Sequence, residues 1–251
     1  MIRRLKKSLK ELAEDSALLD ELIAIECSAL SVEEALGNPE EQDYPIQGGK
    51  EVMLQAVFGD SAGQAFSRET ICRTYTLREV LELPMTSDWQ RAVLVASANA
   101  VFADAGIIDR TIHCKDKGPA ECARYLNEIT RNEKVGLFGL QPRFLEELNR
   151  LGEIRCVDID PELIGTFIDG VLIEPPENTQ EIMDWADRIL VTGSAIVNNT
   201  FTRFLHGATP LHVFGTTGAA GAHVLGLQRY CKTENQQICG LCKGGDFASA
   251  R

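Results

Sequence analysis

Four short apolar runs in the second half of the chain each end in small or polar residues: Val135 to Pro142, Cys156 to Pro161, Ile189 to Thr200 and Leu211 to Gly221. Strands buried on both faces read as uninterrupted Val, Ile, Leu and Phe. From Lys134 onward such runs alternate with helical segments, and each crossover returns the chain in the same direction, so the strands should pair in parallel. An open sheet of this kind binds its ligand beyond the carboxyl ends of its strands. Gly139, Asp158, Thr192 and Gly215 stand at those ends and are expected to converge on one site.

The first half follows a different pattern. Residues Arg3 to Leu36 carry apolar positions at helical spacing, with a break near Ser16 and an exit at Gly37, Asn38 and Pro39, which predicts one or two helices. A polar, Gly-rich loop covers Glu40 to Lys50. The segment Glu51 to Glu69 then reads as two strands around a turn at Gly59 to Gly63, a β-hairpin. Thr76 to Leu83 and the strongly apolar Trp89 to Val101 read as helices that could cover it. An irregular polar stretch, Thr111 to Pro119, precedes a helix expected from about Ala120 to Asn132. The domain boundary is placed near Asn127, giving an α+β unit over 1–126 and an α/β unit over 127–251.

With 37 acidic against 25 basic residues, an extended contact with a nucleic-acid backbone is not expected, because that contact needs clustered positive charge. The one basic cluster, Arg3 to Lys10, interleaves with Ile2, Leu5, Leu9 and Leu12 and reads as the solvated face of an amphipathic helix. No stretch approaches the roughly 20 consecutive apolar residues of a membrane span, and the N-terminus lacks a signal peptide's apolar core. A cytoplasmic protein with mostly reduced cysteines is the expectation.

The strand ends differ in chemistry. Gly139 could let a ligand approach the backbone, but the turn Gly136 to Pro142 lacks the three-glycine spacing of a pyrophosphate site, and Pro142 suits the first helical position anyway. Asp158 and Asp160 occupy the place where a dinucleotide fold accepts ribose hydroxyls, and capping the next turn explains them equally. The run Thr192, Gly193, Ser194 to Asn198 and Thr200 offers neutral hydrogen-bonding groups at the start of a helix, where a polar or anionic ligand is favoured. The loop Gly215, Thr216, Thr217 and Gly218 repeats that logic after the fourth strand. His223 follows it, near the terminal cysteines, while His206 and His212 read as ordinary structural residues.

Of eight cysteines, Cys239-x-x-Cys242 with Cys231 eight residues earlier could close on zinc, nickel or iron, an iron–sulfur centre included. Three ligands leave a position for Cys114, Cys122, His223 or a bound substrate. A redox dithiol, or plain thiols close in sequence, would look the same.

The hairpin Glu51 to Glu69, the helix Val95 to Val101 with Asn99, the strand and turn Val135 to Phe144, the segment Thr192 to Thr200 and the loop Gly215 to Gly218 together resemble the "putative heavy-metal chelation" family, long carried as one of unknown function. That resemblance implies an enolase N-terminal-like domain joined to a Rossmann-like domain, a site between them and a role in metal chelation. By position it implies that Asn99, Gly139, Thr192, Ser194, Asn198, Thr216 and Thr217 line the site. The cysteines Cys231, Cys239 and Cys242 lie beyond the part of the pattern that can be matched.

The resulting expectation is a protein that binds a small anionic or metal-containing ligand in the crevice between its domains, with self-association left open. The alternative is an enzyme that uses a nucleotide-like or S-adenosylmethionine-like cofactor in metallocofactor metabolism. No serine sits in a nucleophile elbow, and no histidine can be paired with a nucleophile from sequence.

Overall fold

The computed structural model describes residues 1–26, 33, 35, 37–38 and 52–232. The loop read over Glu40 to Lys50, and Cys239 and Cys242, lie outside the described residues. The chain opens with α1 (Ile2–Asp15), which buries Ile2, Leu5, Leu9 and Ala13 at helical spacing. The helical pattern read through to Leu36 is interrupted by β1 (Leu22–Glu26). Leu22, Ile23 and Ile25 satisfy either period, and pairing decides: β1 is held on both sides, by β2 (Val52–Phe58) and β4 (Arg73–Thr76).

The hairpin partner of β2 is β3 (Ser61–Ser67), and the two meet in full register from Val52 opposite Ser67 to Phe58 opposite Ser61. Gly59, with a φ of 54°, supplies the positive dihedral that a two-residue hairpin turn requires. The first sheet is therefore antiparallel, in the order β3-β2-β1-β4. Thr76 caps α2 (Leu77–Glu82) in a capping box with Glu79.

Helix α3 (Asp88–Asp104) is buried on every residue from Arg91 to Phe102. Such a helix needs apolar neighbours all round. It has the first sheet on one side, where Gly63 comes so close that a Cβ there would lie 2.2 Å from the Ala100 nitrogen. On the other sides it meets α1 and the helices of the second half.

The predicted helix at Ala120 to Asn132 is shorter, α4 (Gly118–Arg124) followed by a 3-10 turn over Tyr125–Glu128. Next come β5 (Val135–Phe138), α5 (Pro142–Leu151) and β6 (Ile154–Val157), with Pro142 at the start of α5 as its missing N–H allows. A hairpin absent from the sequence reading, β7 (Phe167–Ile168) and β8 (Val171–Glu174), turns at Asp169 and Gly170, both with positive φ. Helix α6 (Thr179–Trp185), β9 (Arg188–Thr192), α7 (Ser194–Val197), β10 (Leu211–Phe214), α8 (Ala219–Leu225) and β11 (Gln228–Tyr230) complete the described chain.

All neighbours in the second sheet pair in parallel except β7 with β8, and the order is β11-β10-β9-β5-β6-β8-β7. From β5 the chain builds outward through β6 to β8, then crosses back to place β9 on the other side of β5. Counted in chain order, the parallel strands run 3-2-1-4-5-6. The loops that leave β5 and β9 therefore diverge, and a crevice opens beyond their carboxyl ends.

Side chains alternate across this sheet. Phe138, Val157, Val191 and Val213 join the core shared with α1, α3 and the first sheet. Leu137, Cys156, Leu190 and Phe214 face a smaller core with α4 and α5. Gly221 of α8 sits against Met1 and Ile196, which brings α1 onto α8. The protein is thus mixed α/β, with one antiparallel and one mostly parallel sheet. No helix among the described residues is long and apolar enough to cross a membrane.

Candidate functional site

A cavity of about 550 Å³ lies at the carboxyl ends of β5, β6, β9 and β10. That size suits a small-molecule ligand. Gly139, Asp158, Thr192 and Gly215, one from each strand end, all line it, as do Ser194, Asn198 and Thr217. The first half closes the opposite wall with Phe66, Ser67, Arg68, Asp88 and His113.

Gly139 is there for want of a side chain. Its φ is 91°, and a Cβ would lie 2.4 Å from the Thr192 methyl carbon, so the exits of β5 and β9 pass each other only over glycine. Gly193 does not line the cavity. It packs backbone to backbone on Gly218, whose nitrogen would be 2.1 Å from a Cβ, and this holds the start of α7 against the loop after β10.

The polar groups of the wall are largely committed to one another. Asp158 accepts from the backbone of Leu140 at 2.7 Å and of Asp160 at 2.9 Å, which ties the exits of β5 and β6 together. Each oxygen keeps a lone pair for a ligand. Thr192 Oγ1 accepts from the Ser194 amide at 3.3 Å, and Asn198 Oδ1 accepts from both the amide and the hydroxyl of Thr200. Thr217 Oγ1 accepts from the Phe66 amide at 3.1 Å, a direct link between the two walls.

Asn99 lies beneath the cavity rather than in its lining. Fully buried, it donates to the carbonyls of Gln64 at 2.9 Å and Thr216 at 3.1 Å and accepts from the Ala220 amide at 2.8 Å. It fixes the loop that carries Gly215 and Thr217. Thr216 is also outside the lining, and its buried hydroxyl has no hydrogen-bond partner among the described residues.

His113 enters the wall with its backbone amide on Gln64 Oε1 at 2.7 Å. Its Nδ1 lies 2.7 Å from the Cys114 carbonyl, which can only accept, so the proton is assigned to Nδ1. Burial holds its pKa below the ordinary histidine value although carbonyls of Cys114 and Ala35 favour the charged ring. His223 stands elsewhere, exposed on α8 with its ring edge toward Phe102.

Two lining residues carry a full positive charge. Arg68 and Arg203 are exposed, and neither has a carboxylate partner among the described residues. Other arginines are engaged: Arg91 with Asp88 and the carbonyls of Met85 and Val197, Arg155 with Glu174 and Glu181, Arg188 with Glu133. The sequence reading missed Arg68 and Arg203. Each is a single polar residue in an irregular stretch, and only the fold brings them to the strand ends.

The cysteines do not meet there. Cys114 and Cys231 are half-buried, and Cys122 and Cys156 are buried. Burial, with Asp158 and Glu174 nearby, pushes the Cys156 thiol far above its ordinary pKa. Cys72 is disulfide-bonded. Among the described residues no group of three or more His, Cys, Asp or Glu side chains could hold a metal ion. Those residues alone therefore do not fit a chelated heavy metal.

The sequence model of the DUF364 family, described as "Putative heavy-metal chelation", matches residues 123–220. Two solved structures of DUF364 proteins with unknown function are similar. One, from Pyrococcus horikoshii, is 18% identical over 86% of this chain and 79% of its own, with a TM-score of 0.52. The other, from Desulfitobacterium hafniense, is 16% identical over 87% of this chain and 85% of its own, also with a TM-score of 0.52. No curated protein is significantly similar to the chain. Residues 123–220, which carry β5 to β10 and most of the cavity wall, are thus the part of this chain that is similar to the DUF364 family.

Proposed function

We propose that the cavity binds a small anionic or metal-containing ligand between an N-terminal unit, residues 1–126, and a C-terminal Rossmann-like unit, residues 127–251. One observation carries this reading: the exits of β5, β6, β9 and β10 meet in a single cavity where the strand order reverses. The family description supports a connection with heavy metals. Within the proposal, Asp158, Thr192, Ser194 and Asn198 contribute polar contacts and Gly139 and Gly215 let the ligand approach the backbone.

A second reading has support of its own. The 3-2-1-4-5-6 order of the parallel strands, with Asp158 ending the second, is that of sheets that bind nucleotide-like cofactors. It predicts adenine nucleotides or S-adenosylmethionine as ligands.

The test fills the cavity. Ser194 lines it and is half-buried, so Ser194→Phe should block it with little cost to the fold. Thermal unfolding is measured with nucleotides, S-adenosylmethionine, carboxylates, phosphates and metal chelates, since a ligand that binds only the native state raises Tm. At least one class should stabilise the wild type and leave the variant unchanged. Equal stabilisation of both proteins by every active compound defeats the cavity reading.

A further inference from the structure

Resting on that cavity reading, we infer that Arg68 and Arg203 form an oxyanion-recognition pair, so that the ligand presents phosphate or carboxylate groups to one end of the cavity. The guanidinium fork matches the geometry of both groups and holds its charge at every physiological pH. In a chain with a formal charge of −12, two cations face one cavity without a carboxylate partner among the described residues.

Both side chains spring from anchored backbone. Beside Arg68, the Phe66 amide is tied to Thr217 and the Ser67 hydroxyl accepts from the Glu69 amide. Arg203 lies in a 3-10 turn pinned by buried Phe201 and Phe204, and the Phe204 ring packs 4.8 Å from that of Phe138. An anchored root with an unpartnered tip suits a residue that awaits a ligand, because the ordering cost at the root is met in folding.

The cavity's carboxylates do not compete for this role. Asp88 is paired with Arg91, and Asp158 already receives two backbone amides. Asp160 and Glu162 follow Asp158 in the chain and also line the cavity. A metal would then enter best as an anionic chelate, wrapped in its own oxygen ligands, with the arginines reading the wrapping.

The experiment is calorimetric titration with pyrophosphate, citrate, nickel citrate and nickel chloride. The proteins are wild type, Arg68→Gln, Arg203→Gln, their double variant and Ser194→Phe. The expected result is saturable binding of at least one of the first three probes, weakened about tenfold or more by each single substitution and lost in the double variant. Ligand-free Tm of the arginine variants stays at the wild-type value, and salt weakens binding. Preference for pyrophosphate identifies a phosphate ligand and preference for citrate a carboxylate. Tighter binding of nickel citrate, with nickel chloride inert, identifies a chelate. Binding that Ser194→Phe abolishes but the double arginine variant retains overturns the arginine assignment and leaves the cavity reading standing. Binding that survives Ser194→Phe overturns both, and no saturable binding of the three anionic probes to wild type overturns the arginine assignment.

Discussion

The interface of β3 with α3 and the cavity above it are built from the same kinds of polar residue and treat them in opposite ways. Below, Gln55, Gln64 and Asn99 are buried: Gln64 donates to Gln55 at 2.8 Å, and Asn99 satisfies three backbone groups, on β3, the turn after β10 and α8. Above, Arg68 and Arg203 have no carboxylate partner among the described residues. The same contrast holds among cations, since Arg155 on β6 is gripped by Glu174 and Glu181. Satisfied polar groups belong to the fold, whereas polar groups left open at a strand-end crevice are what a ligand can use.

The comparison can be attacked from its lower half first. Gly63→Val should be the most damaging change, because its side chain would enter space held by the backbone of Ala96 and Ala100. A loss of at least about 3 kcal/mol is expected, enough to lower Tm by roughly 6–12 °C. Denaturant unfolding checks it, and a wild-type midpoint would mean that the interface is looser than described.

Next comes Asn99→Ala, which strands the Ala220 amide and frees two carbonyls of their donor. Its cost should be about 2–4 kcal/mol. A cost below about 0.5 kcal/mol, the range of ordinary surface changes, would erase the contrast with the arginines.

The smallest effect sharpens the cation comparison through pH. The bonds from Arg155 hold the Glu174 carboxyl below its ordinary value of 4.5, outweighing burial, which acts the other way. A depressed carboxylate contributes stability above its unfolded pKa and loses it as pH falls through its folded pKa. Glu174→Gln should therefore cost about 1–2 kcal/mol at pH 7 and converge with wild type in acid below the folded pKa. Urea unfolding at neutral and acid pH measures both. A gap that persists in acid would assign the loss to packing instead of charge.

Much of the fold was legible because burial on both faces leaves uninterrupted apolar runs, which β5, β9 and β10 are. The ends of those runs gave Gly139, Asp158, Thr192 and Gly215, since a strand's end is a local property. Strand β1 was hidden by residues that fit two periods, although β8 carried a usable signal in Asp169 and Gly170, a strong hairpin pair. Arg68 was not legible, for no local pattern says which loop of one half will face the strand ends of the other. The family resemblance placed Asn99 at the site wall, and its side chain instead bonds backbone one layer below.

Helix α1 offers a last consequence. Its apolar stripe of Ile2, Leu5 and Leu9 leaves the ribosome well before α8, part of the surface it packs on, is made. Contacts between such distant segments form late and leave apolar surface bare in the meantime. The exposure of this chain to aggregation is therefore concentrated in its synthesis, in the interval between the first helix and the loop that Asn99 holds.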